Sequence, residues 1–164
     1  DSYLYNPLTV AITLFVYGVL FIIIEKTKKP ANIKNLNDLD YLTALKIGAF
    51  QMLALIPGTS RSGSTILGAS IVGCSRRVAS EFSFFLAIPM MFGASLLKLI
   101  KLKMSLDFAG IAILLTGMVV AFVVSVVAIK SLLKYIKKHD FTAFGIYRIV
   151  LAVIIAVCLL FEII

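Results

Sequence analysis

Charge is scarce in this chain. Asp, Glu, Lys and Arg make up 15% of its 164 residues, and 61% are hydrophobic. A soluble domain carries about 25% charged and about 45–50% apolar residues. Too few polar side chains are present to build a wet exterior, so a soluble domain is excluded. Cysteine is nearly absent as well. Cys74 and Cys158 stand alone on separate apolar segments, with no C-x-x-C spacing and no nearby His. That sets aside disulfide and metal roles and leaves two small hydrophobes. Acids number eight against sixteen Lys and Arg, a formal charge of +8. In a soluble protein this would point to nucleic acid. Here the basic residues sit at the ends of apolar runs, as the positive-inside rule expects, and no nucleic-acid partner is implied. No low-complexity segment and no G-x-x-x-x-G-K-[ST] spacing occur, so a nucleotide P-loop is not indicated. What remains is an all-α integral membrane protein.

About 20 apolar residues cross about 30 Å of hydrocarbon. Four runs suit that length, 8–24, 78–97, 108–129 and 141–161. The first has no basic stretch before it and is followed by Glu25-Lys26, so it reads as a span and not as a signal peptide. The chain opens on Asp1 rather than Met, which leads us to expect a segment upstream. Pro89 interrupts the second run, and Gly93, Ala94 and Ser95, with Gly110 and Gly117, suit close helix contacts.

Between the first two runs lies a broken element, 41–75. One arm opens near Asn37 or Asp38 as N-cap and stops at Pro57-Gly58; the other runs from Ile66 to Cys74. Each arm is too short to cross alone. If the element enters and leaves on one side, the basic residues within 26–46, 76–77 and 130–138 share a face, opposite Lys98, Lys101 and Lys103. A full crossing would split them far more evenly. The re-entrant arrangement is therefore expected, within one membrane domain over 1–164. Its basic face is cytoplasmic and both chain ends lie outside.

The stretch joining the arms, "PGTSRSGST" at 57–65, combines two Gly, five hydroxyl residues and one Arg in apolar surroundings. Irregular backbone at membrane depth is tolerated only when buried in protein or lining a wet cavity. An intramembrane Arg costs about 2.5–3.5 kcal/mol or more and marks function by default. Gly58 and Gly63 permit the positive-φ turns of an anion nest. Thr59, Ser60, Ser62, Ser64 and Thr65 can donate hydroxyl hydrogen bonds, and Arg61 offers a planar fork matched to phosphate. The plainer alternative is an interhelical turn at Pro57-Gly58 with Ser62 or Ser64 capping a helix that starts near Thr65. Arg148, about two turns into the last run, could reach the same anion, pair with Glu81, or snorkel to the interface. Gln51 faces either the cavity or a neighbouring helix.

"PGTSRSGST", then "EFSFFLAIPMMFGAS" (Glu81–Ser95) and the late "GIYR" (Gly145–Arg148), together resemble the undecaprenyl-diphosphate phosphatase family of bacitracin-resistance membrane phosphatases. The resemblance runs from about Leu8 to Ile164. It implies hydrolysis of a C55 polyprenyl diphosphate to the monophosphate, recycling the lipid carrier of cell-wall synthesis in the bacterial plasma membrane. It also implies an inverted-repeat fold with two re-entrant helix pairs meeting near mid-membrane, an active site open to the outer face, and a requirement for Mg²⁺ or Ca²⁺.

One departure matters. The family is longer at its N-terminus, where it carries a Glu-rich motif and a second re-entrant loop with a His; neither is present here. Metal ligands and the acid/base group are expected there and not on this chain, which by itself is expected to be inactive. Glu25 and His139 read as solvated interfacial groups. By the resemblance Arg61 clamps the diphosphate, while Ser60 and Ser62 act on it, with a serine nucleophile and direct attack by water both open. Gly58, Thr59, Gly63, Ser64, Thr65 and Arg148 complete the phosphate-binding set. A transporter or flippase holding a phosphorylated lipid without cleaving it, and a non-catalytic membrane subunit, are the competing readings. Oligomeric state is open, a homo-oligomer included.

Overall fold

The computed structural model describes residues 6–27, 30–101 and 108–161. Six α-helices follow one another: α1 (Pro7–Thr27), α2 (Tyr41–Gln51), α3 (Arg61–Ile71), α4 (Arg76–Lys101), α5 (Phe108–Ile136) and α6 (Thr142–Leu160). Four of them, α1, α4, α5 and α6, are long and apolar enough to cross a membrane. Among the described residues no β-strand forms, apart from an isolated bridge between Ile33 and Cys74. Lys28, Lys29 and Lys103, used in the charge count, lie outside the described residues.

Helix α1 packs antiparallel against α6. Phe21 stacks edge-on against Phe141, and Ala11 shares a groove with Ala152 at the other end. Backbone contact at the crossing depends on two glycines. A Cβ on Gly18 would lie 2.8 Å from the Gly145 carbonyl oxygen, and one on Gly145 would lie 2.7 Å from that of Gly18. Small residues at such crossings let helices meet in lipid. These are not the glycines expected from the sequence: nothing lies within 4 Å of a Cβ added to Gly93 or Gly117. They sit where α4 and α5 are largely exposed, with Ile113 73% and Phe92 70% accessible. Helix α4 also runs unbroken through Pro89, which withholds one N–H from the ladder without ending it.

Helices α2 and α3 form a hairpin. Asp40, not Asn37 or Asp38, caps α2 by accepting the Thr43 N–H at 3.0 Å; residues 36–38 form a separate 3₁₀ turn. Hydrogen bonds from Thr43, side chain first and then backbone, hold the Asp40 carboxyl below the usual range. Phe50 of α2 packs on Gly68 of α3, where an added Cβ would lie 2.5 Å from Cγ of the ring and 2.7 Å from the Phe50 Cβ. Helix α3 ends in a Schellman motif. Gly73 turns left-handed at φ +95°, the Cys74 N–H reaches the Ala69 carbonyl at 2.9 Å, and the Gly73 N–H reaches Ser70 at 3.2 Å. The turn returns the chain to its starting point. Gly73 accepts from the Asn32 and Ile33 N–H groups, and Ser75 donates to the Ile33 carbonyl at 2.8 Å.

Helix α1 serves as a ruler for this hairpin. Arg76, just past the hairpin, pairs with Glu25, and Pro57 at the tip accepts from the Thr13 hydroxyl at 2.8 Å. Twelve residues of helix separate Glu25 from Thr13, about 18 Å at 1.5 Å per residue. The hairpin therefore runs along α1 for most of its length and turns back with both ends together.

Candidate anion-binding site

Helix α3 starts four residues earlier than the sequence suggests. Ser60 has extended backbone, φ −70° and ψ 130°, and its Oγ accepts the Gly63 N–H at 3.1 Å. A serine cap with that bond begins the helix where it stands. The cap is thus Ser60, neither Ser62 nor Ser64. Arg61 through Thr65 form the first turn, and the irregular stretch shrinks to Pro57–Ser60.

The two glycines divide the work. Gly58 takes φ +84°, and a Cβ there would strike the Thr13 side chain and approach Val10 Cα to 2.9 Å. Gly63 is helical and contributes no nest; among the described glycines only Gly58 and Gly73 have positive φ. Its value is space. A Cβ on Gly63 would lie 2.8 Å from Nη2 of Arg148. Arg148 therefore comes from α6 to rest on the first turn of α3, with its guanidinium carbon 5.5 Å from the centre of the Phe21 ring.

The hydroxyls divide too. Thr65 is fully buried, and its Oγ1 lies 3.1 Å from the Arg61 carbonyl, 3.0 Å from that of Ser62 and 2.6 Å from Ser83 Oγ. With its single proton given to a carbonyl, Thr65 accepts from Ser83. Ser64 donates to the Ser60 carbonyl at 3.2 Å and lies 3.4 Å from the Tyr17 hydroxyl. These two hydroxyls join α3 to α4 and α1. Ser60 and Ser62 remain as a pair, their Oγ atoms 3.1 Å apart and half-buried.

Unsatisfied buried polar atoms are few in folded proteins, and each calls for an explanation. Here they gather. Thr59 Oγ1, Arg61 Nη1, Arg148 Nη1 and Ser80 Oγ are all buried without a partner, as is Gln51 Oε1 at the end of α2. The cap engages the Gly63 N–H and the helix engages that of Ser64, which leaves those of Arg61 and Ser62 at the positive end of α3. Such a helix end, flanked by two guanidiniums, has the chemistry that suits an anion. Beside it is a cavity of about 110 Å³ that Ser62, Gly63 and Arg148 share with Ser80 and Ser83 of α4. Sequence reading passed over Ser80 and Ser83, although two serines three apart in an apolar run share a helix face.

Other candidates are engaged elsewhere. Glu81 pairs with Arg77 at 2.7 Å and not with Arg148. Glu25 is not a solvated interfacial group. Its side chain is 5% accessible, Oε1 takes Arg76 Nε at 2.7 Å, and Oε2 accepts the Phe141 N–H at the start of α6. Proximity of the α1 and α6 ends, invisible in the sequence, makes this lock. His139 is exposed and stacks on Tyr135 at 4.3 Å. Gln51 donates to Met90 Sδ at 3.0 Å. Among the described residues no three His, Cys, Asp or Glu converge.

A family model described as bacitracin resistance protein BacA matches residues 1–154. An undecaprenyl-diphosphatase of Acetivibrio thermocellus is 62% identical over 158 residues, which is 94% of this chain and 58% of that protein. One of Enterococcus faecalis is 59% identical over 160 residues, with the same coverage of each. One of Lachnoclostridium phytofermentans is 55% identical over 158 residues, covering 95% of this chain and 58% of its own length. The chain thus spans somewhat over half the length of these relatives, and it belongs to the bacitracin resistance protein BacA family.

Proposed function

We propose that this chain supplies the phosphate-holding part of an undecaprenyl-diphosphatase. That enzyme releases inorganic phosphate from the polyprenyl diphosphate, leaves the monophosphate as lipid carrier and thereby confers bacitracin resistance. The observation that carries the reading is the pair of buried guanidinium nitrogens on Arg61 and Arg148. Each lacks a protein partner, and both belong to the first turn of α3 or rest against it. When the terminal P–O bond breaks, charge develops on the transferred group and on the departing lipid phosphate. Fixed donors already aimed at that charge lower the barrier without reorganising. Ser62, next to Arg61 in the first turn of α3 and reaching the cavity wall, is the hydroxyl best placed to meet the transferred phosphoryl group where it joins the lipid phosphate, as nucleophile or as donor to it. Ser60 holds the helix that presents it.

The family's divalent cation is not matched by the residues at hand. The α3 turn offers guanidiniums and hydroxyls, and the carboxylates of Glu25 and Glu81 are held by arginines. No step is assigned to a cation here; its Mg²⁺ or Ca²⁺ ligands, and the base, are assigned to the part of the longer relatives that this chain does not cover. The bridge at Ile33 and Cys74 supports a re-entrant hairpin that opens and closes on the basic, cytoplasmic side. The Pro7 end of α1 and the Leu160 end of α6 then face outward, with the hairpin tip towards them.

Arg61→Lys keeps the charge and removes the fork. Phosphate release from farnesyl diphosphate by the full-length enzyme should fall about 10²-fold, as for a lost transition-state donor. A rate within about threefold of wild type, far short of such a loss, would take Arg61 out of the mechanism. A lipid transporter using the same grip would move lipid between leaflets and release no phosphate.

A further inference from the structure

We infer that Ser80 and Arg148 form a second anion subsite, specific for the phosphoryl group that stays on the lipid. Arg61 and the α3 N-terminus hold the phosphoryl group that leaves. The inference rests on the diphosphatase reading and divides its substrate between two grips.

Three observations carry it. Ser80 is 1% accessible, its Oγ has no partner, and it lines the cavity into which Ser62 and Arg148 also face. A buried hydroxyl without a partner loses the free energy of a hydrogen bond, and Arg148 Nη1 stands in the same position. Second, apart from Ser83, whose hydroxyl is paired with Thr65, the remaining cavity wall is mostly apolar: the rings of Phe21, Phe84 and Phe144, with Leu132 and Ile136. Two unmet polar groups on the wall of an otherwise largely apolar cavity fit an amphiphile, a phosphate ester with its first hydrocarbon unit. A free inorganic ion would leave those rings without a partner. Third, Arg61 does not line this cavity, although it begins the same helix. Arg148 thus faces this cavity while Arg61 does not, and a diphosphate has two phosphoryl groups for two guanidiniums to meet.

The test measures binding to the 164-residue chain in detergent by calorimetry, with farnesyl phosphate and inorganic phosphate as probes. Ser80→Ala should weaken farnesyl phosphate about tenfold or more, the cost of losing a hydrogen bond to a charged group, and leave inorganic phosphate unchanged. Ser80→Thr, which keeps the hydroxyl, should bind farnesyl phosphate nearly as wild type does. Arg61→Lys should show the reverse pattern, losing inorganic phosphate first. Equal farnesyl phosphate affinity in wild type and Ser80→Ala overturns the assignment, as does an equal loss in Ser80→Ala and Ser80→Thr. So does a Ser80→Ala variant that loses both probes together. If Ser80→Ala behaves as expected but Arg61→Lys keeps its inorganic phosphate, the Ser80 subsite stands and the proposed role of Arg61 falls.

Discussion

Gly63→Ala separates stability from function in a way no other single change here does. On backbone grounds the substitution should help. Gly63 is helical, and Ala at a helical position is favoured over Gly by about 0.5–1 kcal/mol. The added methyl meets one obstacle, Arg148, with Nη2 at 2.8 Å and Cζ at 3.4 Å. Ser60 Cβ at 3.3 Å is tight and tolerable with a shift of a few tenths of an ångström. Ordinary contact therefore requires the guanidinium to retreat by somewhat under 1 Å, and it is not free to do so smoothly. It sits over Phe21, which is 4% accessible and braced by Phe141. A misplacement of about 1 Å at a positioned group costs about 10²-fold in rate.

The expected result is an unfolding midpoint equal to or slightly above wild type, with phosphate release from farnesyl diphosphate by the full-length enzyme reduced about 10- to 10²-fold. A double-mutant cycle locates the cause. In an Arg148→Ala background the methyl has nothing to displace, so Gly63→Ala should then do nothing further to the rate. Full activity in Gly63→Ala, or an equal loss in both backgrounds, would refute the claim that this glycine exists to admit Arg148.

Gly58→Ala should fail differently, lowering the unfolding midpoint in detergent, because both its φ of +84° and its contact with Thr13 exclude a side chain. Glu25→Gln should destabilise by about 1–3 kcal/mol by chemical denaturation, less than a fully buried pair would lose, because Arg76 remains 41% accessible and can turn to water. Cysteines at Lys34 and Lys137 should label from the cytoplasmic side and one at Lys101 from outside; opposite labelling at positions 34 and 77 would end the re-entrant reading.

Much of the fold can be read in advance because lipid imposes one rule on every residue of a span. A backbone without water must satisfy itself, so an apolar run of sufficient length is a helix. The ends of those helices follow equally local chemistry, such as Gly73 completing the Schellman turn of α3. Contacts between helices carry no such signal. Gly18 and Gly145 look like any glycines in an apolar run, and nothing nearby distinguishes them from Gly93 and Gly117, where an added Cβ would meet nothing within 4 Å. Which small residues meet depends on which helices pair, and that choice is made by residues more than a hundred positions apart.

The site divides along the same line. Arg61 and the serines beside it announce an anion because they are polar where polarity is expensive. Their individual duties do not show, since a hydroxyl that binds phosphate and one that bolts two helices together have the same spelling. Thr65 and Ser62 are distinguished only by the arrival of Ser83 at one and the cavity at the other. Gly63 is the sharpest case. Read locally, a glycine between two serines suggests a turn. Read with α6 in place, it is the clearance for an arginine 85 positions away in the chain. That arginine in turn needs Phe21 to lie on and α1 to carry the ring. Arg148 is therefore a joint product of three helices: α6 carries it, α3 leaves room for it at Gly63, and α1 supplies the ring on which it lies.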